Sequence, residues 1–278
     1  MSLFIASLNS GSNGNCYYVG NEREAVLIDV GIPCREIEKR MKRLSLLMSK
    51  VKAIFVTHEH TDHISGISVL AKKYQLPVYI TEDTLKESRM HIEKNLLVAF
   101  RENVPVMIGG LSVNAFQKFH DAADPHSFTV SDNAVTVGIF TDIGRCCETV
   151  IHHFKQCNAA FLEANFDMGM LINGSYPHHL KKRISGGNGH LSNTDALNLF
   201  NTHRPSFMSH LVLSHLSKNN NNPGLVEQLF NQYAGTTKII IASRYEETKV
   251  YEVNAAAMPV AKKTKALFKQ QPVQLSIF

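Results

Sequence analysis

Nowhere in the 278 residues do about 18 apolar residues follow one another, the length that a membrane-spanning helix needs. The first residues also lack the basic stretch followed by an apolar one that marks a secretory leader. No two of the five cysteines (Cys16, Cys34, Cys146, Cys147 and Cys157) form a Cys-x-x-Cys pair, and an odd count argues against a disulfide framework. These absences set aside the membrane and secreted classes and point to a reducing cytoplasm. Internal repeats and low-complexity blocks are missing before the tail. Charged residues are only 19% against 44% hydrophobic, so the chain can bury a sizeable core and is not globally disordered. Its length suits one large domain or two small ones. The basic excess is modest, 29 − 24 = 5, which is compatible with a polyanionic partner without requiring one. What the chain has in abundance is histidine, fourteen in all.

Short apolar strands broken by glycine turns are expected at residues 3–8, 16–19 and 25–28, with a helix from about Pro33 carrying Ile37, Met41 and Leu44 at helical spacing. A strand at 53–56 ends just before His58; residues 64–73 read as helix and 77–80 as strand. Two β-rich stretches, 96–118 and 127–140, precede a region of alternating helices and strands. There Ser192 with Asp195 makes a capping box, and Asn222 with Pro223 makes a cap and first turn. This alternation predicts an α/β layer architecture.

The segment Thr57-His58-Glu59-His60-Thr61-Asp62-His63 holds three imidazoles and two carboxylates directly after a β-branched strand. Alternation along such a loop lets His58 and His60 face one ion while Asp62 and His63 face another. Imidazole and carboxylate together suit zinc, manganese or iron. A polar helix start, with Asp62 favoured by the dipole, would account for one such histidine but not for this density. The adjacent pairs His152-His153 and His178-His179 fall on probable helix segments and read as surface positions. His126 sits in a loop near His120, within reach of a substrate. His91, His203 and His210 have no supporting pattern.

His-x-His-x-Asp-His after a strand resembles the metallo-β-lactamase fold superfamily. That resemblance implies an αββα sandwich: two facing mixed β-sheets flanked by helices, with a two-metal site at one edge. It implies that His120 completes the first metal's ligands with His58 and His60. It also implies that Asp142 bridges both metals and that His215 joins Asp62 and His63 at the second. Asp29 matches an acidic residue that orients the metal loop; a turn-forming Asp before Gly is the other reading. Nuclease members of the fold carry a histidine where Gly189-His190-Leu191-Ser192-Asn193 stands, which implies that His190 donates a proton to the leaving oxygen. His190, Asp62 and Asp142 are the expected catalytic residues.

Further motifs narrow the resemblance to the YycJ/WalJ family. They are residues 7–16 (Ser-Leu-Asn-Ser-Gly-Ser-Asn-Gly-Asn-Cys), 162–167 (Leu-Glu-Ala-Asn-Phe-Asp), Tyr176-Pro177, Leu180-Lys-Lys-Arg-Ile, and Leu-Ser-His-Leu-Ser-Lys-Asn-Asn around His215. The resemblance spans roughly residues 1–250. It implies a bacterial two-metal phosphodiester hydrolase, a DNA exonuclease of 5′-to-3′ polarity that uses a metal-bound hydroxide. Phe166 departs from the histidine expected there. Lys181, Lys182, Arg183 and Arg145 are expected to contact substrate phosphates, and the loop at 10–15 reads either as a phosphate cradle or as a plain hairpin turn. An RNA phosphodiesterase, a thioesterase or lactonase, and a non-catalytic DNA- or clamp-binding module are the other functions open to these residues.

Domain boundaries are expected at 1–254 for the catalytic domain and 255–278 for a basic tail. The tail ends in Gln274-Leu275-Ser276-Ile277-Phe278, which resembles the short peptide by which bacterial replication and repair proteins bind the sliding clamp. Leu275, Ile277 and Phe278 would fill an apolar pocket and Gln274 would fix orientation.

Overall fold

The computed structural model describes residues 2–255; the basic tail and its terminal peptide, residues 274–278, lie outside the described residues. Fourteen strands form in chain order among the described residues: β1 (Ser2–Asn9), β2 (Cys16–Gly20), β3 (Ala25–Ile28), β4 (Val51–Phe55), β5 (Val78–Tyr79), β6 (Leu97–Val98), β7 (Val106–Ile108), β8 (Leu111–Gln117), β9 (His126–Asp132), β10 (Val135–Phe140), β11 (Ala159–Glu163), β12 (His210–Ser214), β13 (Lys238–Ile241) and β14 (Tyr251–Asn254). They make two seven-stranded sheets of order β14-β1-β2-β3-β4-β5-β6 and β13-β12-β11-β10-β9-β8-β7. Both sheets are mixed. In the first, β14 to β3 pair antiparallel and β3 to β6 parallel. In the second, β13 to β10 pair parallel and β10 to β7 antiparallel.

Several strands read as unbroken apolar runs because both of their faces are covered. In β3, Val26 and Ile28 face the second sheet, where Phe128, Val130, Val137, Ile139 and Phe161 complete the inner core. Ala25 and Leu27 face outward onto the helices Cys34–Arg43 and Ile67–Tyr74, against Ile37, Met41, Ile67 and Leu70. Fully burying an aliphatic side chain of this size is worth about 1.5–3 kcal/mol. The outer face of the second sheet is covered likewise by the helices Glu148–Phe154, Asn193–His203 and Pro223–Asn231, which bring Phe154, Phe200 and Phe230 onto Phe140 and Leu213. The result is the αββα order of layers.

Ser192 Oγ accepts from Asp195 N and Asn222 Oδ1 from Gly224 N, so both expected helix caps form. The expected helix over 64–73 is instead two pieces, Thr61–Ile64 and Ile67–Tyr74. The break falls at Ser65 and Gly66, where the Gly66 N–H donates to the Val30 carbonyl. A Cβ on Gly66 would lie 2.1 Å from the Ile32 carbonyl oxygen, so only glycine fits. His153 also departs from its expected surface position. It is 9% exposed and stacks on Phe116, centroids 4.0 Å apart, because the helix turns residues 150, 153 and 154 inward. His126 is buried too, its Nδ1 on the Asp124 carbonyl and its ring against Phe100. No helix among the described residues is long and apolar enough to cross a membrane.

Candidate metal centre

β1, β3 and β4 run in one direction in the first sheet, and β8, β10, β11, β12 and β13 in one direction in the second. Their carboxyl ends carry the chemistry: Asp29 follows β3, His58 follows β4, His120 follows β8, Asp142 follows β10, Glu163 ends β11 and His215 follows β12. Asp29, Asp142 and His215 each leave the strand with left-handed backbone, φ +59°, +53° and +55°. Asp and His are among the few non-glycine residues that adopt it readily, and such conformations gather at functional sites.

One ligand atom each from His58, His60 and His120 lie within 4.8 Å of one another, and so do those of Asp62, His63 and His215; Asp142 groups with both His58 and His63. Neighbouring groups turn the rings inward. His120 Nδ1 donates to the Gly189 carbonyl at 2.9 Å, so Nε2 faces His60 Nδ1 at 3.3 Å. His63 Nδ1 meets Asp29 Oδ2 at 2.7 Å, which sends Nε2 to within 3.1 Å of Asp142 Oδ2. Asp29 is itself held by the Thr57 N–H and hydroxyl, both at 2.8 Å. Asp29 thus orients a ligand through its free imidazole nitrogen, the usual arrangement around protein-bound metals.

The poorly partnered atoms test whether a metal fits. His58 Nε2 is buried with no hydrogen-bond partner, Asp142 Oδ2 is buried with His63 Nε2 at ion-pair distance, and His215 Nε2 is buried with Asp62 Oδ2 no nearer than 3.5 Å. Buried polar atoms so poorly partnered cost free energy, and all three belong to groups with metal-ligand chemistry. The donor set therefore fits divalent cations. Electrostatics agree. Burial pushes His120 down to about 4 and His58 well below its ordinary value, so both stay neutral. Burial alone would also lower His63, but Asp142, Asp29 and Asp62 outweigh it and raise that imidazole to about 10. Asp142 is held far below the usual carboxylate range against its own burial, chiefly by His215 and His63. Metal binding would displace the protons that balance these carboxylates.

A cleft of about 400 Å³ opens over the centre, lined by Asp62, Asp142 and His215, by Tyr176 and Arg183, and by His190. His190 is 22% exposed on its side chain, and its Nδ1 meets Glu163 Oε1 at 2.8 Å. Arg183 pairs with Asp121 Oδ2 at 2.5 Å from the cleft wall. The other expected phosphate contacts lie apart from that lining. Arg145 sits over the Phe119 ring at 3.6 Å, Lys181 Nζ donates to the Ile172 carbonyl, and Lys182 is exposed. Phe166 is 2% exposed and packs inward. The 10–15 loop folds toward the metal-binding segment: Asn15 N donates to the Asp62 carbonyl, and Asn15 Nδ2 reaches Asp62 Oδ2 at 3.2 Å.

Glu163 is the residue that sequence reasoning passed over. It is fully buried, accepts from the Ile143 and Leu191 N–H groups, and meets both His190 and His215. Burial would raise its carboxyl, but His190 and His215 outweigh that and hold it at about 2. Its signal was a lone acid closing the apolar run Ala159-Ala160-Phe161-Leu162.

Such a sandwich, with its imidazoles and carboxylates gathered at one set of strand ends, defines a metal-dependent hydrolase of the metallo-β-lactamase superfamily. The superfamily's sequence model matches residues 10–132. Among solved structures, the metallo-β-lactamase fold protein YhfI from Bacillus subtilis superposes with a TM-score of 0.71 at 16% identity, over 91% of this chain and 100% of that one. The short form of human tRNase Z gives 0.60 at 16% identity, over 89% and 99%. Sequence relatives are nearer. "Exodeoxyribonuclease YycJ" of Bacillus anthracis is 34% identical over 235 residues, 84% of this chain and 89% of the relative. "Exodeoxyribonuclease WalJ" of Streptococcus pneumoniae (strain D39) is 30% identical over 82% of this chain and 87% of its own length. The chain belongs to the YycJ/WalJ family.

Proposed function

We propose that the protein is a DNA exonuclease of 5′-to-3′ polarity that hydrolyses phosphodiester bonds with two divalent metal ions. The observation that carries this reading is His190 in the cleft beside the metal ligands, backed by a fully buried Glu163. A thioester expels a thiolate that leaves without a proton, whereas a phosphodiester expels an alkoxide that needs one. The ionised Glu163 accepts from His190 Nδ1 and stabilises the imidazolium, and the opposite ring nitrogen delivers the proton. His58, His60 and His120 would hold one ion and Asp62, His63 and His215 the other, with Asp142 shared; zinc, manganese or iron would supply Lewis acidity and an activated water. The names of two sequence relatives, both exodeoxyribonucleases, support DNA as the substrate. Arg183 in the cleft lining supports a phosphate contact there, for which it would have to leave or share Asp121.

The test is digestion of duplex DNA labelled at the 5′ or the 3′ end, using metal-reconstituted protein with Asp142→Ala alongside. Release of the 5′ label first, lost in the variant, is expected. DNA left intact with manganese, zinc and iron alike would overturn the reading, and RNA digestion in parallel would redirect it. We further infer that the peptide 274–278 tethers the enzyme to a sliding clamp, with Lys262, Lys263, Lys265 and Lys269 as a basic spacer. Equal retention of clamp by the full chain and by one truncated after Gln271 would sink this.

A further inference from the structure

A second cavity of about 270 Å³ adjoins the catalytic cleft, with Ser217 lining both. It lies at the carboxyl ends of β1 and β13, walled by Ser10, Ser217, Lys218, Arg244 and Tyr245. Ser10 separates it from the metal ligands by accepting from the His215 N–H at 2.8 Å. Three features distinguish it from an ordinary surface dent.

Its cations are uncommitted. Arg244 has no carboxylate within ion-pair distance among the described residues; its Nη1 is buried without an acceptor and its Nη2 reaches Asn13 Oδ1 only at 3.4 Å. Lys218 likewise makes no ion pair or hydrogen bond among the described residues, unlike Arg183 and Lys181 on the far side of the cleft. A guanidinium N–H buried without an acceptor is a debt that an acceptor-only oxyanion settles.

Its aromatic is presented, not packed. The Tyr245 side chain leaves the residue 72% exposed, the most of any large hydrophobic residue described. Yet its backbone is pinned: the buried Arg40 donates to the Tyr245 carbonyl at 3.0 Å, Asn13 Nδ2 to the Arg244 carbonyl at 2.7 Å, and Ser10 N to the Ser243 carbonyl at 3.1 Å. A ring held on a fixed loop loses little freedom when a base stacks on it.

Its size is selective. At about 270 Å³ the cavity falls just below the usual range of ligand pockets, about 300–1,000 Å³, a size nearer to one nucleotide unit than to a duplex.

We propose that this cavity is a nucleotide subsite of the substrate strand: Arg244 and Lys218 hold a phosphate flanking the scissile bond, and Tyr245 stacks its base. The proposal rests on the nucleic-acid reading above and adds that the strand enters single-stranded at this point. Stacking of this kind tolerates any base, as suits an enzyme that degrades without regard to sequence.

The test compares wild type with Tyr245→Ala, Tyr245→Trp, Lys218→Ala and Arg244→Gln, each reconstituted with manganese. Two probes are used: a short labelled single-stranded oligo-dT, and bis(p-nitrophenyl) phosphate, which is small enough to fill the catalytic cleft alone. Tyr245→Ala and Arg244→Gln are expected to raise the oligonucleotide KM about 5- to 20-fold while hydrolysis of the small diester stays within about twofold. Tyr245→Trp should retain tight binding, and Lys218→Ala should flatten the salt dependence of binding by about one counterion. Because Tyr245 is exposed, its variants test the idea even if Arg244→Gln fails to fold. Unchanged oligonucleotide KM in Tyr245→Ala and Lys218→Ala would overturn the subsite, as would parallel loss on both probes. A wild type that digests duplex DNA yet neither binds nor cleaves oligo-dT would overturn the subsite alone. One that cleaves the diester but neither oligo-dT nor duplex DNA would overturn the DNA reading, and the subsite with it.

Discussion

Under the proposed mechanism Glu163 serves catalysis through His190, whose Nδ1 it meets at 2.8 Å, besides holding the Ile143 and Leu191 N–H groups and meeting His215. Glu163→Gln keeps the shape but removes the negative charge that faces His190 Nδ1. DNA hydrolysis is expected to fall about 10²-fold, within the range of general acid–base catalysis, and the double variant with His190→Ala should be no worse than His190→Ala alone. Single-turnover digestion of the three proteins checks this, and additive losses would separate the two residues. His153 tests the fold rather than the chemistry. Burial, helped by His152, lowers its imidazole from the ordinary 6.5 to about 4. Between those values the unfolded chain binds the proton and the folded one does not. The stability it contributes is therefore complete above pH 6.5 and lost as pH falls toward 4. His153→Phe, which preserves the stack on Phe116, should lose about 1–2 kcal/mol less between pH 7 and pH 4.5 in urea denaturation. Equal acid sensitivity of the two proteins would remove His153 from the account.

At the scale of elements, the metal loop depends on close backbone packing between the chain leaving β3 and the helix start after His60. A Cβ on Gly31 would lie 1.7 Å from the Asp62 carbonyl oxygen, which already accepts from Asn15 N. Backbone cannot yield as a flexible side chain does. Gly31→Ala should therefore destabilise the fold by about 2–4 kcal/mol and weaken metal retention as Asp62 is pushed aside. Calorimetry with metal titration measures both, and a variant with native Tm and native metal content would refute the tight-packing account. The caps Ser192 and Asn222 were legible in the chain, because a cap is local chemistry over three residues. The break at Gly66 was not, because the Val30 carbonyl that takes its N–H and the Ile32 carbonyl that excludes a side chain there belong to a distant part of the chain.

For the whole molecule, the buried acids Asp29, Asp142 and Glu163 with the part-buried Asp62 gather at the centre, where histidine protons and the buried Lys118 ammonium balance them. Divalent metal binds the folded arrangement and not the dispersed ligands of the unfolded chain. At about 100 times its Kd one such ion adds about 2.7 kcal/mol, a rise in Tm of several degrees. Chelation should reverse the rise, and Asp142→Ala should shrink it. An unmoved melting curve on adding manganese, zinc and iron in turn would deny the centre a metal.

By itself the sequence determined what depends on neighbours in the chain: the apolar runs of the strands, the helix caps, and the dense metal-ligand loop from His58 to His63. The family's ordered motifs carried His120, Asp142, His190 and His215 as expectations. Tertiary structure alone decided what depends on convergence. It brought Glu163 under both His190 and His215, 27 and 52 residues away, and turned His153 into the core. It also set Arg244 and Tyr245 beside Ser217, where the ends of β1 and β13 meet the loop after His215. Spacing along a chain encodes period and capping, whereas which strand ends share one edge is settled only when two sheets pack face to face.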